Sequence, residues 1–358
     1  MIPAYSPRVA TSQVAYVNNA LAKNELSFRG EYHRLFETAV AVASGRRRAV
    51  LTSSGTTALA AAYRAAGLGG KRVLAPTLSY VATVNQLLAA GATPVLVDCN
   101  RDFQMDLGQA ESAFKSGKAD AMVVAPLYGD CPNMEWAESM CNRYAVPLVV
   151  DAAEAFGAGW GGRPVASYGD VATLSFFANK TITCGEGGAV VADDTHLTDA
   201  AFSYVNHATI PGYRHVSADA TNARMTNLQA AVGLAQLEEL GEVLDEKARV
   251  LNAYCGTRLA PAIIYPDSGF AWVVVAALHR DATYRQAAEA AAAGGVEVRP
   301  VFRPLHTLPA FRGKWESAGD LANSFLVANR HVILPSGPGL TAEDVERVAE
   351  VMGPFLKD

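Results

Sequence analysis

Ser175-Phe176-Phe177-Ala178-Asn179-Lys180-Thr181-Ile182-Thr183-Cys184-Gly185-Glu186-Gly187-Gly188 lies between two apolar runs, Asp170–Leu174 and Ala189–Val191. Both runs read as short buried strands. A lysine set between strands and followed by a glycine-rich turn is an unusual place for a long cation. Desolvating an ammonium is costly, so buried lysines are rare unless paired. The same desolvation weakens the amine's hold on its proton and frees it to attack an aldehyde. Lys180 is therefore a candidate Schiff-base nucleophile. The alternative, on these residues alone, is a lysine at a strand end with its head in water.

Upstream, Pro147-Leu148-Val149-Val150 reads as a buried strand and runs straight into Asp151-Ala152-Ala153-Glu154-Ala155. An acid directly after such a strand sits at the carboxyl edge of a sheet, partly desolvated, and needs a cationic partner. A protonated pyridine nitrogen would serve; a helix N-cap is the plain alternative. Further upstream, the strand Ala49–Thr52 is followed by Ser53-Ser54-Gly55-Thr56-Thr57 and an alanine-rich helix. A small-residue turn at a helix N-terminus forms an anion cradle from free N–H groups, the helix dipole and hydroxyls. It is not a Walker loop, because no G-x-x-x-x-G-K-[ST] is present. A simple Ser/Thr cap is the competing reading. Next, Lys71–Ala75 ends at Pro76-Thr77-Leu78-Ser79-Tyr80. Tyr80 thus stands where open α/β sheets bind ligands, placed either to stack on a planar ring or to fill the core.

The bulk properties narrow the class. The chain has 358 residues, half of them hydrophobic, and a formal charge of -5. That length suits one large domain plus a smaller one. The acidic balance and the lack of a basic run argue against nucleic acid as the main partner. No apolar stretch reaches the length of a membrane span, and no signal-peptide pattern opens the chain. The five cysteines are scattered, with no C-x-x-C pair, which suggests reduced thiols, a cytoplasmic setting and no zinc site. Strands alternate with helices at the spacing of right-handed crossovers and a mostly parallel sheet.

Three signals now combine. A phosphate cradle, an acid after a strand and an amine between strands are what pyridoxal phosphate needs for its phosphate, its ring nitrogen and its aldehyde. Ser175 adds a hydroxyl near the same phosphate. Together with Asn222-Ala223-Arg224-Met225-Thr226-Asn227-Leu228-Gln229-Ala230-Ala231 and Arg299-Pro300-Val301-Phe302-Arg303-Pro304-Leu305-His306, these motifs resemble the DegT/DnrJ/EryC1/StrS nucleotide-sugar aminotransferases almost end to end.

The resemblance implies a fold-type I α/β aminotransferase. It would have a large, mostly parallel seven-stranded domain over 1–240 and a small C-terminal domain over 241–358, in a homodimer with shared sites. It implies that Lys180 carries pyridoxal 5'-phosphate and shuttles a proton. Asp151 pairs with the ring nitrogen, Glu154 lies near the ring, Tyr80 stacks on it, and Gly55, Thr56 and Ser175 hold the phosphate. Asn227 would reach the partner subunit's phosphate. L-Glutamate would leave its amine as pyridoxamine 5'-phosphate, and the 4-keto group of a GDP-linked 6-deoxymannose would accept it. Arg299 and His306 are candidates for the diphosphate substrate, and surface side chains are the alternative for both. His207 and His215, in a compressed 206–221 segment, either contact sugar or are solvated. Other readings are a different ketosugar, a keto-cyclitol, a dehydratase of the same fold, or a non-catalytic regulator. Lys180 argues against the dehydratase, whose relatives place histidine there. Pro126, Asp130, Cys184 and the compressed segment depart from the family pattern, and by the resemblance they fall near where the sugar and nucleotide should lie.

Overall fold

The computed structural model describes residues 1–210 and 214–357. Its centre is a sheet of seven main strands: β1 (Arg48–Thr52), β2 (Arg72–Pro76), β3 (Thr93–Val97), β4 (Ala121–Val124), β5 (Leu148–Asp151), β6 (Val171–Ser175) and β7 (Gly188–Ala192). Their spatial order is β1-β7-β6-β5-β4-β2-β3, and the short strand Glu316–Ser317 adds an eighth beyond β3. That addition has no signature along the chain, since a two-residue strand has no periodicity to detect. Strand β7 runs antiparallel to both its neighbours, and the other pairs are parallel.

Strands β4 to β7 are buried along their whole length. Helices cover both faces of such a sheet, so its strands carry continuous apolar runs. Successive residues still alternate between faces. Met122, Val124, Leu148, Val150 and Leu174 join one core with helices α1 (Gln13–Ala22) and α2 (Glu31–Ala43), while Ala121, Val123, Val149 and Val171 join the other with α3 (Gly55–Ala65). All the parallel strands and β1 end on one edge of the sheet. That edge is where crossovers leave loops free to bind a ligand.

The helix Leu240–Cys255 leads to a second, four-stranded sheet built from Ile263–Ile264, Val274–Ala277, Arg299–Pro300 and His331–Leu334. In the apolar run 269–278 only Val274–Ala277 forms a strand, because the residues before it make a loop whose Trp272 N–H donates to the Tyr128 carbonyl beside the large sheet. The N-terminus belongs here too: Ile2 bridges Val296. The compressed 206–221 segment falls partly outside the described residues. No helix is long and apolar enough to cross a membrane among those described.

Candidate active site

Gly188 explains how two distant motifs meet. It pairs with Thr52 of β1 on one side and Ser175 of β6 on the other. A Cβ on Gly188 would sit 2.6 Å from the Gly55 amide nitrogen, and one on Gly55 would sit 2.8 Å from the Ser175 Cβ. Only hydrogens fit, so the turn before α3 is pressed against the end of β6. Ser54 caps α3 reciprocally with Thr57. The first-turn N–H groups of Gly55 and Thr56 have no acceptor within the helix. The Ser175 hydroxyl lies beside this turn, its oxygen 3.0 Å from where a Gly55 Cβ would stand, and an anion at such a helix start meets N–H groups and a helix dipole. Ser54 and Thr57 make the cap, which leaves the Gly55 and Thr56 N–H groups of the same turn for the cradle reading.

Asp151 ends β5 in full burial. Thr83 Oγ1 donates to its Oδ2 at 2.7 Å and the Ala153 N–H to its Oδ1 at 3.3 Å. Burial pushes its carboxyl pKa up, against those hydrogen bonds and the charge of Lys180. No ion pair involves Asp151 among the described residues. Glu154 follows in the next turn, also buried. Its Oε1 lies 3.4 Å from Lys180 Nζ and its Oε2 accepts from the Tyr128 N–H at 3.4 Å. Burial raises its pKa as well, and Lys180 opposes the shift. Of these two buried carboxyl groups, Glu154 meets Lys180 within ion-pair distance and Asp151 does not, which suits Asp151 to a cationic partner.

Lys180 lies in the loop after β6 with its side chain 13% exposed. It is neither deep in the sheet nor free in water. Nζ rests over the Trp272 ring, 4.1 Å from its centroid, and the Tyr5 hydroxyl donates to the Lys180 carbonyl at 2.6 Å. Tyr80 caps α4 (Val81–Ala89) at the carboxyl end of β2 and is 56% exposed, with Phe302 beside it at 5.8 Å between ring centroids. An exposed aromatic at the lip of a charged cleft is unfilled stacking surface.

Not every expected residue joins this cluster. Asn227 is fully buried at the start of the helix Asn227–Glu238, its Oδ1 accepting from His33 N–H at 2.8 Å and its Nδ2 donating to Glu25 carbonyl at 2.7 Å. Its amide is committed within its own chain and is not available to a partner's phosphate, so that expectation is corrected. Asn222, in the same segment, is exposed. Arg299 pairs with Glu297 at 2.5 Å on the small sheet and has no hydrogen bond or ion pair to the cluster. His306 does return to the sheet edge, but at β2, where its Nδ1 lies 2.8 Å from Thr77 Oγ1. Burial lowers its pKa. His215 touches the carbonyl of His207, 3.1 Å away, inside their own hairpin. Asp130 turns away from the cleft: its carboxylate accepts from the N–H groups of Ser268 at 3.0 Å and Asp267 at 3.2 Å. Cys184 is buried in the large core.

Sequence reading missed Thr83, Tyr128, Trp272 and Tyr5. Tyr128 is held at φ +61, a left-handed conformation that costs a non-glycine residue energy and marks functional loops. Nothing in a single sequence signals it. Two clefts elsewhere, of about 370 Å³ beside Glu37 and Arg47 and about 310 Å³ beside Phe156 and Leu244, gather no comparable set of groups.

The edge of the sheet therefore fits a molecule with a phosphate, a basic ring nitrogen and an aldehyde. The cradle, the acid lacking an ion partner and the reachable amine meet those three needs separately. The DegT/DnrJ/EryC1/StrS aminotransferase family matches residues 7–353. The chain is 34% identical to the GDP-perosamine synthase of Escherichia coli O157:H7, over all of this chain and 99% of that one. It is 33% identical to the GDP-perosamine synthase of Vibrio cholerae, over 97% of each. Among solved structures it resembles DesI, determined in the presence of its TDP-sugar product, with a TM-score of 0.88 and 30% identity over 98% of this chain and 91% of that one.

Proposed function

This chain belongs to the DegT/DnrJ/EryC1/StrS aminotransferase family, and from that premise we propose that it transfers an amino group from L-glutamate to the 4-keto carbon of a GDP-linked 6-deoxymannose. Its cofactor is pyridoxal 5'-phosphate. The nucleotide and sugar rest on the similarity to two GDP-perosamine synthases along nearly the whole chain. The chemistry rests on one observation: Lys180 Nζ faces Glu154 at 3.4 Å at the same sheet edge as buried Asp151 and the Gly55–Ser175 cradle.

In this reading the Gly55 and Thr56 N–H groups and the Ser175 hydroxyl hold the phosphate. Asp151 keeps the ring nitrogen protonated, with its carboxylate aimed by Thr83 and the Ala153 N–H. Tyr80 covers one face of the ring. When bound, the cofactor supplies an electrophilic carbon and an electron-withdrawing ring that stabilises charge on the adjacent substrate carbon. Lys180 holds and moves a proton at Nζ, and Glu154 holds that ammonium in reach when it is charged. Trp272, whose backbone N–H donates to the Tyr128 carbonyl, covers the amine and excludes water from that side. His306 at Thr77 is offered to the acceptor substrate; Arg299 would have to leave Glu297 to join it. A homodimer, a cytoplasmic location and a division of the chain at 240/241 complete the proposal.

The test is spectroscopic. L-Glutamate alone should bleach the visible absorbance of the bound cofactor with one 2-oxoglutarate released per site. A GDP-4-keto-6-deoxyhexose should then restore it faster than the dTDP or UDP analogue. Lys180→Ala should show no multiple turnover. Sustained turnover by that variant, or preference for another nucleotide, would overturn the corresponding half of the proposal.

A further inference from the structure

Trp272 comes from the loop that leads into the small sheet, yet its indole lies over the amine of Lys180 on the large one. It is 5% exposed. Every polar atom it has is used. Its Nε1 donates to the Asn179 carbonyl at 2.8 Å, one residue before the lysine. Its backbone N–H donates to the Tyr128 carbonyl at 2.9 Å. Its carbonyl accepts from Lys247 Nζ at 2.7 Å. Upstream, the Asp130 carboxylate holds the 267–268 turn, so the loop is fixed at both ends.

Lys247 lies on the linking helix, 3% exposed, with no carboxylate within ion-pair distance among the described residues. It also reaches the Ser336 carbonyl at 3.4 Å and lies 5.0 Å over the Tyr5 ring. Tyr5 in turn donates to the carbonyl of Lys180. A buried lysine is costly to keep. Here it ties together the residue that covers Lys180 and the residue that holds its backbone.

We infer that Trp272, pinned from behind by Lys247, is a positioning residue for the Lys180 amine, covering one side of it with an aromatic face and leaving it open toward Glu154. This rests on the reading of Lys180 as the amine of the site. An indole face with its centroid 4.1 Å from Nζ holds the amine against the ring and blocks approach to it from that side. The charged groups facing Lys180 are Glu154, directly, and Asp151 at the end of β5. Both are unchanged by substitution at Trp272.

The experiment uses the full chain freed of cofactor. Trace labelling with acetic anhydride at fixed pH, read by peptide mass spectrometry, gives the reactivity of Lys180 relative to Lys115, whose side chain is 62% exposed. Trp272→Leu removes the ring and is expected to raise Lys180 labelling roughly two- to fivefold. Trp272→Phe keeps a ring face and should stay near wild type. Lys247→Met should shift labelling in the same direction as the leucine variant; if it does not fold, the two Trp272 variants carry the test. Equal labelling in wild type, Trp272→Leu and Trp272→Phe overturns the inference, as does a phenylalanine variant that behaves like leucine. Borohydride trapping of pyridoxal phosphate on the wild-type chain separates the two levels. Attachment at Lys180 supports the underlying reading, and attachment at another lysine overturns it together with the inference.

Discussion

Replacing Asp151 with asparagine should have opposite effects on the cofactor-free and cofactor-bound protein. The change is isosteric, and the new amide oxygen still accepts from Thr83, now 2.7 Å from the carboxylate. What disappears is a buried charge. In the cofactor-free chain that charge is a liability, because burial raises the Asp151 pKa more than its hydrogen bonds and Lys180 lower it. A carboxyl whose folded pKa lies above its unfolded one contributes most stability when protonated, below the unfolded pKa. It loses that contribution as pH rises through the folded value. Above that value the wild type has lost it, and the asparagine variant never had it to lose. The cofactor-free variant should therefore melt no lower than wild type there, and its stability should vary less with pH from the acid range upward. With cofactor the sign reverses. Truncating one side of a buried, hydrogen-bonded charge pair costs about 2–5 kcal/mol, which at ~1.4 kcal/mol per decade is about a 30-fold to few-thousand-fold loss of affinity. Titrating pyridoxal phosphate into dialysed protein, followed by absorbance, gives the affinity. Scanning fluorimetry of the cofactor-free forms gives the melting temperatures. Retention within threefold of wild type would refute the pairing of Asp151 with the ring. A cofactor-free variant that melts well below wild type would refute the account of its burial.

Gly55→Ala should weaken cofactor retention by roughly tenfold or more, since its Cβ would sit 2.8 Å from that of Ser175 and such overpacking costs ~1–3 kcal/mol; inorganic phosphate should compete less well in the variant, which a competition titration checks. Asp130→Ala leaves the N–H groups of Asp267 and Ser268 without their acceptor and should cost ~1–3 kcal/mol of stability, read from the urea midpoint. Lys247, pushed by burial down to about 7, gives up its proton in the folded chain well before it does so unfolded. Wild type should therefore gain stability as pH rises above about 7, and Lys247→Met should lack that gain; denaturant titrations of the two proteins from pH 6.5 to 9.5 give the difference.

Much of this protein is settled by local sequence. The apolar runs of β4, β5 and β6 and the helices between them dictate a parallel sheet, because only strands buried on both faces are apolar without interruption. The small-residue turn at Gly55, the acid after β5 and the lysine after β6 are legible as separate chemical provisions. Their union is not. Ser175 meets Gly55 only because Gly188 pairs with β1 and β6 at once, and that register is a tertiary fact. The same holds for Asn227, whose position in a motif suggested a reach outward while packing against Glu25 and His33 turned it inward. Asp130 looked like a change in a substrate pocket and is a clamp on a backbone turn. Trp272 and Lys247 carried no signal at all, since an apolar strand and an amphipathic helix accept a tryptophan and a lysine without comment. Local preferences and strand periodicity act over a few residues and are written in order along the chain. The surroundings of Lys180 are set by contacts between residues up to 175 positions apart, such as Tyr5 with Lys180, and only the folded chain brings them together.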